Sequence, residues 1–579
     1  MILPLFKIIK VGIYLLLLHQ TKSMLRNNKV TQILILLVVF TASVTFGQRK
    51  SKNNDDIVLK TNPKLVVGIV VDQMRYDYLT RFWDDYEEGG FKRLVNEGFN
   101  CKNNHFNYAP TSTGPGHASV YAGTTPSTHG IIGNNWYDKV ADAEVYCASD
   151  PNYESVGTTS DTGKMSPHRM SVTTITDELR LHTQMQGKTI AIALKDRGAV
   201  LPGGHTANAA YWFRGANEGN WITSSFYMQS LPQWVENFNN GTTAESYKKP
   251  WAFLKDINAY GESGPDSNVY EGMFEGEAAP VFPHDLKKLW EANGKYDILK
   301  SSAYGNSLTA DFAIAALDGE QLGKDAITDF LAISFSSTDY VGHKYGVNSK
   351  EIQDTYLRLD ADLKRLFNTL DKKVGENEYT VFLTADHGAI DVPAYLKSNK
   401  IPAGYMDWAT IKTSLNEFLQ YTYGTSDIVK NFSNNQFFLD YKIVKNLDLS
   451  VAEVQEKIGL ELLKYKGIDR VYTGSQMMKN DYRNGIPYIL QNGFNQKRSG
   501  DILIVLQPGT ISYPITGSTH GSPQIYDTHS PLLFYGKGIQ KGSTVDRTEI
   551  PDIAPTIAAL LGISFPNGTT GSPIARVLE

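Results

Sequence analysis

Acids and histidines able to hold a metal recur at a few points in this chain, and most of them end a run of strand character. Asp72 closes the β-branched run 64–72, and Asp386-His387 closes 379–384 in the string Thr-Ala-Asp-His-Gly. Asp339 and His343 follow 330–335, and His520, in Ser-Thr-His-Gly, follows 502–506. Carboxylate oxygens with imidazole nitrogens form a zinc-type donor set that needs no cysteine. Singly, an Asp after a strand usually caps a helix or forms a turn. Their recurrence at one predicted sheet edge is what points to metal, because open α/β sheets bind ligands beyond the carboxyl ends of their strands. A hydroxyl completes the set: Thr113 precedes Gly114-Pro115-Gly116, where proline suits a first helical turn and free N–H groups favour an anion.

The elements that must position these groups are strands alternating with helices. Near-continuous apolar runs at 64–72, 189–194, 330–335, 379–384, 502–506 and 531–535 suit strands buried on both faces. Between them, 351–370 carries Ile352, Tyr356, Leu359, Leu363, Leu366 and Phe367 on one helical stripe. The pattern predicts a doubly wound α/β fold with a mostly parallel sheet sandwiched by helices. Two stretches break the rhythm. Residues 205–300, rich in Trp, Tyr, Asn and Gly, are expected to form a lid or surface insertion. Residues 398–500, with amphipathic helical patterns at 411–423 and 451–465, are expected to form an inserted α+β cap.

The N-terminus reads as an export signal. Apolar runs at 11–18 and 33–40 both fall short of a bilayer-spanning helix. From Met24, two basic residues, the second run and Thr45-Phe46-Gly47 have secretory form. We expect 1–23 to be an upstream extension, 24–47 a signal peptide, 48–63 a linker and 64–579 the catalytic domain. The expected location is periplasmic or secreted, without stable membrane insertion after cleavage. Removing 1–47 leaves 51 basic against 61 acidic side chains. So acidic a body does not invite a nucleic-acid duplex, and an anionic substrate must be drawn by local positive charge. Cys101 and Cys147 are the two cysteines, and one disulfide or two buried thiols fit equally.

The set Val71-Asp72-Gln-Met-Arg75, Pro110-Thr-Ser-Thr113-Gly-Pro-Gly-His117, Gly133-Asn134, Asp339-x-x-Gly-His343, Asp386-His387-Gly and His520-Gly resembles the alkaline phosphatase superfamily. It is most similar to the type I phosphodiesterase/nucleotide pyrophosphatase group, and closer still to the phosphate-irrepressible alkaline phosphatases of flavobacteria. The resemblance runs from Asp72 to Pro551-Asp-Ile-Ala-Pro-Thr556 and implies an alkaline phosphatase-like fold with two Zn2+ per chain. One zinc would take Asp72, Asp386, His387 and the Thr113 oxygen; the other would take Asp339, His343 and His520. His529 rivals His520, but the family's ligand lies in a His-Gly pair ahead of the last core strand.

Metal coordination would make Thr113 the nucleophile of an in-line displacement, giving a phosphothreonine intermediate. Asn134 is a substrate-binding donor by resemblance. Lys195-Asp-Arg197 matches the Lys-x-Arg with which similar monoesterases bind terminal phosphoryl oxygens, and two cations favour the more highly charged monoester. The expected activity is therefore that of an alkaline phosphatase acting on small phosphate esters, as a monomer. A phosphodiesterase with the same metals and nucleophile is the alternative. A sulfatase would need an oxidised Cys or Ser in a Cys/Ser-x-Pro-x-Arg setting, which is absent.

Overall fold

A computed structural model describes residues 62–579; the expected upstream extension, signal peptide and nearly all of the linker lie outside the described residues. The run 65–71 forms β1 (Leu65–Val71), and every residue in it is buried. Its side chains alternate between two cores. Leu65, Val67, Ile69 and Val71 enter one hydrophobic cluster, while Val66 and Val70 enter another. That period of two is what an apolar strand inside a helix-covered sheet requires.

The remaining strands of the main sheet are, in chain order, β2 (Phe99–His105), β3 (Ser155–Val156), β4 (Thr189–Ala193), β5 (Ala209–Arg214), β6 (Asn220–Ser224), β7 (Asp329–Phe335) and β8 (Tyr379–Thr384). A smaller sheet follows, built from β9 (Val429–Ser433), β10 (Gln436–Leu439), β11 (Ile468–Thr473) and β12 (Ile502–Leu506). The chain then returns to the main sheet with β13 (Leu532–Gly536) and β14 (Gly542–Glu549). The ten-stranded order is β14-β2-β13-β8-β1-β7-β4-β5-β6-β3. Its centre, β8-β1-β7-β4-β5, is parallel throughout, and only β6 and β13 run against the rest. One face packs the helices Tyr304–Gly319 and Lys350–Lys373, the second being the expected apolar stripe. The other face packs the helices Thr113–Ala122, Asp196–Gly203 and Ile553–Leu561. The expected doubly wound, mostly parallel sandwich is the observed fold.

Two details differ from expectation, and one open alternative is settled. The stretch 205–300 is not an insertion from its start: β5 and β6 lie within it and extend the main sheet, and only the segment after β6 runs over the helical face. The run 502–506 belongs to the smaller sheet, ordered β9-β10-β12-β11, so the cap extends past residue 500. An apolar run reports burial on both faces but not which sheet does the burying. Two of the cap's helices, Trp408–Tyr423 and Val451–Leu462, bury Ile411, Leu415, Leu419, Val454, Ile458 and Leu462 against Phe437, Leu439, Ile502 and Ile504. Finally, Cys101 and Cys147 are both free thiols in the core, which resolves the open alternative against a disulfide.

Candidate metal centre and nucleophile

Four adjacent parallel strands, β8, β1, β7 and β4, deliver the polar groups from their carboxyl ends. Asp72 follows β1, and Asp386-His387 follows β8. β7 leads into the helix Ser337–Tyr345, whose first and last turns carry Asp339 and His343. β4 leads to Lys195 and Arg197 at the start of Asp196–Gly203. His520 arrives differently, on the return from the cap, in a loop whose Ser518 carbonyl faces His343 Nδ1 at 2.7 Å. It therefore does not follow a main-sheet strand, although it reaches the same edge. The rival His529 stays apart, stacked between Tyr76 and His105 with Nε2 3.0 Å from the Lys102 carbonyl.

The nucleophile candidate Thr113 is the first residue of the helix Thr113–Ala122, after Ser112. That helix end presses on Asp386: a Cβ on Gly116 would lie 2.4 Å from the Asp386 carbonyl oxygen, so only glycine permits the approach. One turn on, His117 Nδ1 lies 2.9 Å from the Thr113 carbonyl and its Nε2 meets Ser334 Oγ. Asn134 Oδ1 accepts the Gly114 N–H at 2.7 Å. Lys195 Nζ donates to Asp72 Oδ2 (2.7 Å) and Asp339 Oδ2 (2.5 Å), and lies 3.4 Å from Thr113 Oγ1. Arg197 Nη2 is 3.5 Å from the same hydroxyl, while Nη1 is held by the Tyr146 hydroxyl. Lys195 thus contacts two carboxylates as well as the Thr113 hydroxyl, which its expected phosphate-binding role did not foresee.

Two compact donor groups result. Ligand atoms of Asp72, Asp386 and His387 lie within 4.8 Å of one another, as do those of Asp339, His387 and His520. His343 Nε2 joins the second group at 3.1 Å from Asp339 Oδ1. His387 reaches both groups because its ring stacks on His520, with centroids 3.5 Å apart.

Electrostatics indicate what these groups fit. His387 Nδ1 faces the Gly388 carbonyl and His520 Nδ1 the Thr111 carbonyl. A carbonyl only accepts, so the proton sits on Nδ1 and Nε2 presents a lone pair. Burial keeps both rings neutral, pushing His387 down to about 4 and His520 well below its ordinary value. Yet His387 Nε2 points at Asp72 Oδ1 (3.5 Å) and Asp386 Oδ2 (3.6 Å), and all three atoms are buried without a hydrogen-bond partner. Burial and the neighbouring Asp72 drive Asp386 well above the usual carboxylate range. A lone pair converging with two carboxylate oxygens repels unless a cation lies between them, so these residues fit a metal ion.

Sequence reasoning missed Gln73. Its side-chain amide donates to Asp339 Oδ1 at 2.6 Å and its backbone N–H to Asp386 Oδ1 at 3.0 Å, bridging the two donor groups. It does so from a left-handed backbone, φ 63°, that non-glycine residues seldom adopt away from special sites. Its place directly after a strand-ending acid was the available signal. A cavity of about 330 Å³ separates the cap from this edge, lined by Trp408, Phe432, Asn434 and His520 among others.

Known proteins resemble this chain over most of its length. The profile of the type I phosphodiesterase / nucleotide pyrophosphatase family matches residues 66–530. A protein of Myroides odoratus named a calcium-transporting ATPase is 44% identical, covering 96% of this chain and all of the relative. Alkaline phosphatase PafA of Elizabethkingia meningoseptica is 43% identical over 90% of this chain and 96% of its own. The crystal structure of wild-type PafA superposes with a TM-score of 0.86 at 43% identity, covering 90% and 99% of the two chains. A PafA variant substituted at a threonine, an asparagine, a lysine and an arginine matches at the same TM-score and coverage, with 42% identity.

Proposed function

The chain belongs to the type I phosphodiesterase / nucleotide pyrophosphatase family, and on that premise we propose that it is an exported alkaline phosphatase, a two-zinc phosphomonoesterase acting through phosphothreonine at Thr113. The observation that carries the reading is the convergence of three buried, unpartnered donor atoms on Asp72, Asp386 and His387, beside a hydroxyl flanked by Lys195 and Arg197. The threonine, asparagine, lysine and arginine substituted in the PafA variant recur here, in that chain order, as Thr113, Asn134, Lys195 and Arg197. The ATPase in the name of the Myroides relative fits the same chemistry, since the terminal phosphoryl of ATP presents the same free oxygens. Among the described residues no helix is long and apolar enough to cross a membrane.

Asp72, Asp386, His387 and Thr113 would hold one zinc; Asp339, His343 and His520 would hold the other. Bound zinc would supply Lewis acidity at the attacking and leaving oxygens and lower the pKa of hydroxyls and water. Gln73 orients Asp339 and Asp386 toward these positions. Thr113 Oγ1 attacks phosphorus as the leaving-group oxygen departs on the opposite side, and water then cleaves the Thr113–phosphate bond to release phosphate. Lys195 and Arg197 bind the nonbridging oxygens, whose charge is greatest in a monoester. Asn134, its amide oxygen held by Gly114, turns its NH2 group to the same phosphoryl group. The leaving group's remainder extends past His520 into the cavity under the cap, where Trp408 and Phe432 offer apolar contact.

Metal removal tests the reading. Chelation is expected to abolish p-nitrophenyl phosphate turnover, and two equivalents of Zn2+ to restore it. Full activity in metal-free protein would contradict it.

A further inference from the structure

Arg197 brings its charge to the Thr113 hydroxyl with a single fixed point behind it. Its Nη1 donates to the Tyr146 hydroxyl at 3.1 Å, and its Nη2 lies 3.5 Å from Thr113 Oγ1. The third nitrogen, Nε, is buried without a hydrogen-bond partner. Lys195 is held differently, its ammonium pinned by Asp72 and Asp339. A guanidinium is a rigid planar fork, so fixing one nitrogen aims the others. For Arg197 that fixed point is a phenol.

Tyr146 is itself firmly placed. Its hydroxyl donates to Asp196 Oδ1, since a carboxylate only accepts, and its lone pairs remain for Arg197. Burial, then Asp196, hold the phenol well above its ordinary value, so it keeps the proton it donates. The same Asp196 oxygen accepts the Arg197 backbone N–H, which closes a ring of Tyr146, Asp196 and Arg197. Tyr146 ends a hairpin, Asn135–Asp138 with Ala143–Tyr146, in which it stands opposite Asn135. At the hairpin's base the Cys147 N–H donates to the Asn134 carbonyl at 2.9 Å, and Arg169 Nε donates to the Tyr146 carbonyl at 3.1 Å. One hairpin base therefore fixes Asn134 directly and Arg197 through Tyr146.

Resting on the phosphoryl-binding role proposed for Arg197, we infer that Tyr146 is a positioning residue that sets monoester preference by aiming Arg197 at the phosphoryl group on Thr113. Tyr146 needs no contact with substrate to do so, because its hydroxyl is engaged by Asp196 and Arg197. Misplacing a group by about 1 Å can cost about 10² in rate. A monoester presents more terminal charge than a diester, so a lost aim falls chiefly on monoesters.

The test is a double-mutant cycle on zinc-loaded protein, with p-nitrophenyl phosphate and bis-p-nitrophenyl phosphate as substrates. Tyr146→Phe removes one oxygen and keeps the ring. It is expected to lower monoester kcat/KM by about 10- to 100-fold, to change diester kcat/KM far less, and to weaken inhibition by inorganic phosphate. In an Arg197→Ala background the same substitution is expected to cost no more than about twofold, since its effect runs through Arg197. Zinc near two per chain shows that the centre is intact. Should Tyr146→Phe lose zinc or fail to fold, Asp196→Asn loosens the same phenol and is expected to give the same non-additive pattern. No loss in the wild-type background, equal losses in both backgrounds, or equal losses on both esters would overturn the role of Tyr146 and leave Arg197 in place. Undiminished monoester turnover in Arg197→Ala alone would overturn both.

Discussion

Thr113→Ala is expected to cut turnover of p-nitrophenyl phosphate by at least about 10³-fold, the scale of loss when a covalent nucleophile is removed. The loss should fall on kcat, with bound zinc remaining near two per chain. The reason lies in the geometry: Asp72, Asp386 and His387 are each fully buried, and their ligand atoms lie within 4.8 Å of one another, so their placement is expected to survive loss of the Thr113 oxygen. Thr113→Ser restores a hydroxyl at the same helix start and should restore turnover. Zinc measured alongside activity separates loss of the nucleophile from collapse of the centre. Normal turnover in the alanine variant would remove Thr113 from its role.

Lys195→Ala combined with Arg197→Ala is the second large expected effect. Each cation lies about one hydrogen bond from Thr113 Oγ1, at 3.4 and 3.5 Å, close enough to reach a phosphoryl group attached there. Removing one oriented donor to developing charge costs about 10²–10³ in rate. The pair should therefore lower monoester kcat/KM by about 10⁴-fold or more, and diester kcat/KM far less, since a diester carries less terminal charge. Lys195 adds a complication, because its ammonium also bonds Asp72 and Asp339. Its loss leaves three buried carboxylates facing one another, which should increase the centre's demand for metal. Zinc content at or above the wild-type level, with the selective fall in monoester activity, is the expected pair of results. Equal loss on both substrates would show that these cations do not discriminate.

Much of this was legible from residue order. The apolar runs ending in Asp72, Asp386 and the Asp339 helix stand beside one another in the sheet as β1, β8 and β7, because β-branched runs of strand length seldom serve another purpose. Lys195 and Arg197 were legible for the same reason, at the end of β4. What escaped had no one-dimensional signature. β5 and β6, with Trp and Tyr among Ala, Asn and Thr, lack the β-branched run that marked the others, and so merged with the irregular stretch after them. The run 502–506 has the composition of a main-sheet strand but pairs in the cap, because partner choice depends on the whole chain's path. Gln73 works through a left-handed backbone angle, a property that does not exist before the chain is folded.

The most direct test of the central claim compares kcat/KM for p-nitrophenyl phosphate and bis-p-nitrophenyl phosphate on zinc-loaded protein, with and without chelator. Two charge-assisted contacts at roughly 1.5–3 kcal/mol each predict a monoester preference of about 10² or more, lost on chelation. A preference for the diester would keep the fold, the metal donors and Thr113 but move the enzyme to phosphodiester chemistry. Monoester turnover that survives chelation would contradict the account outright.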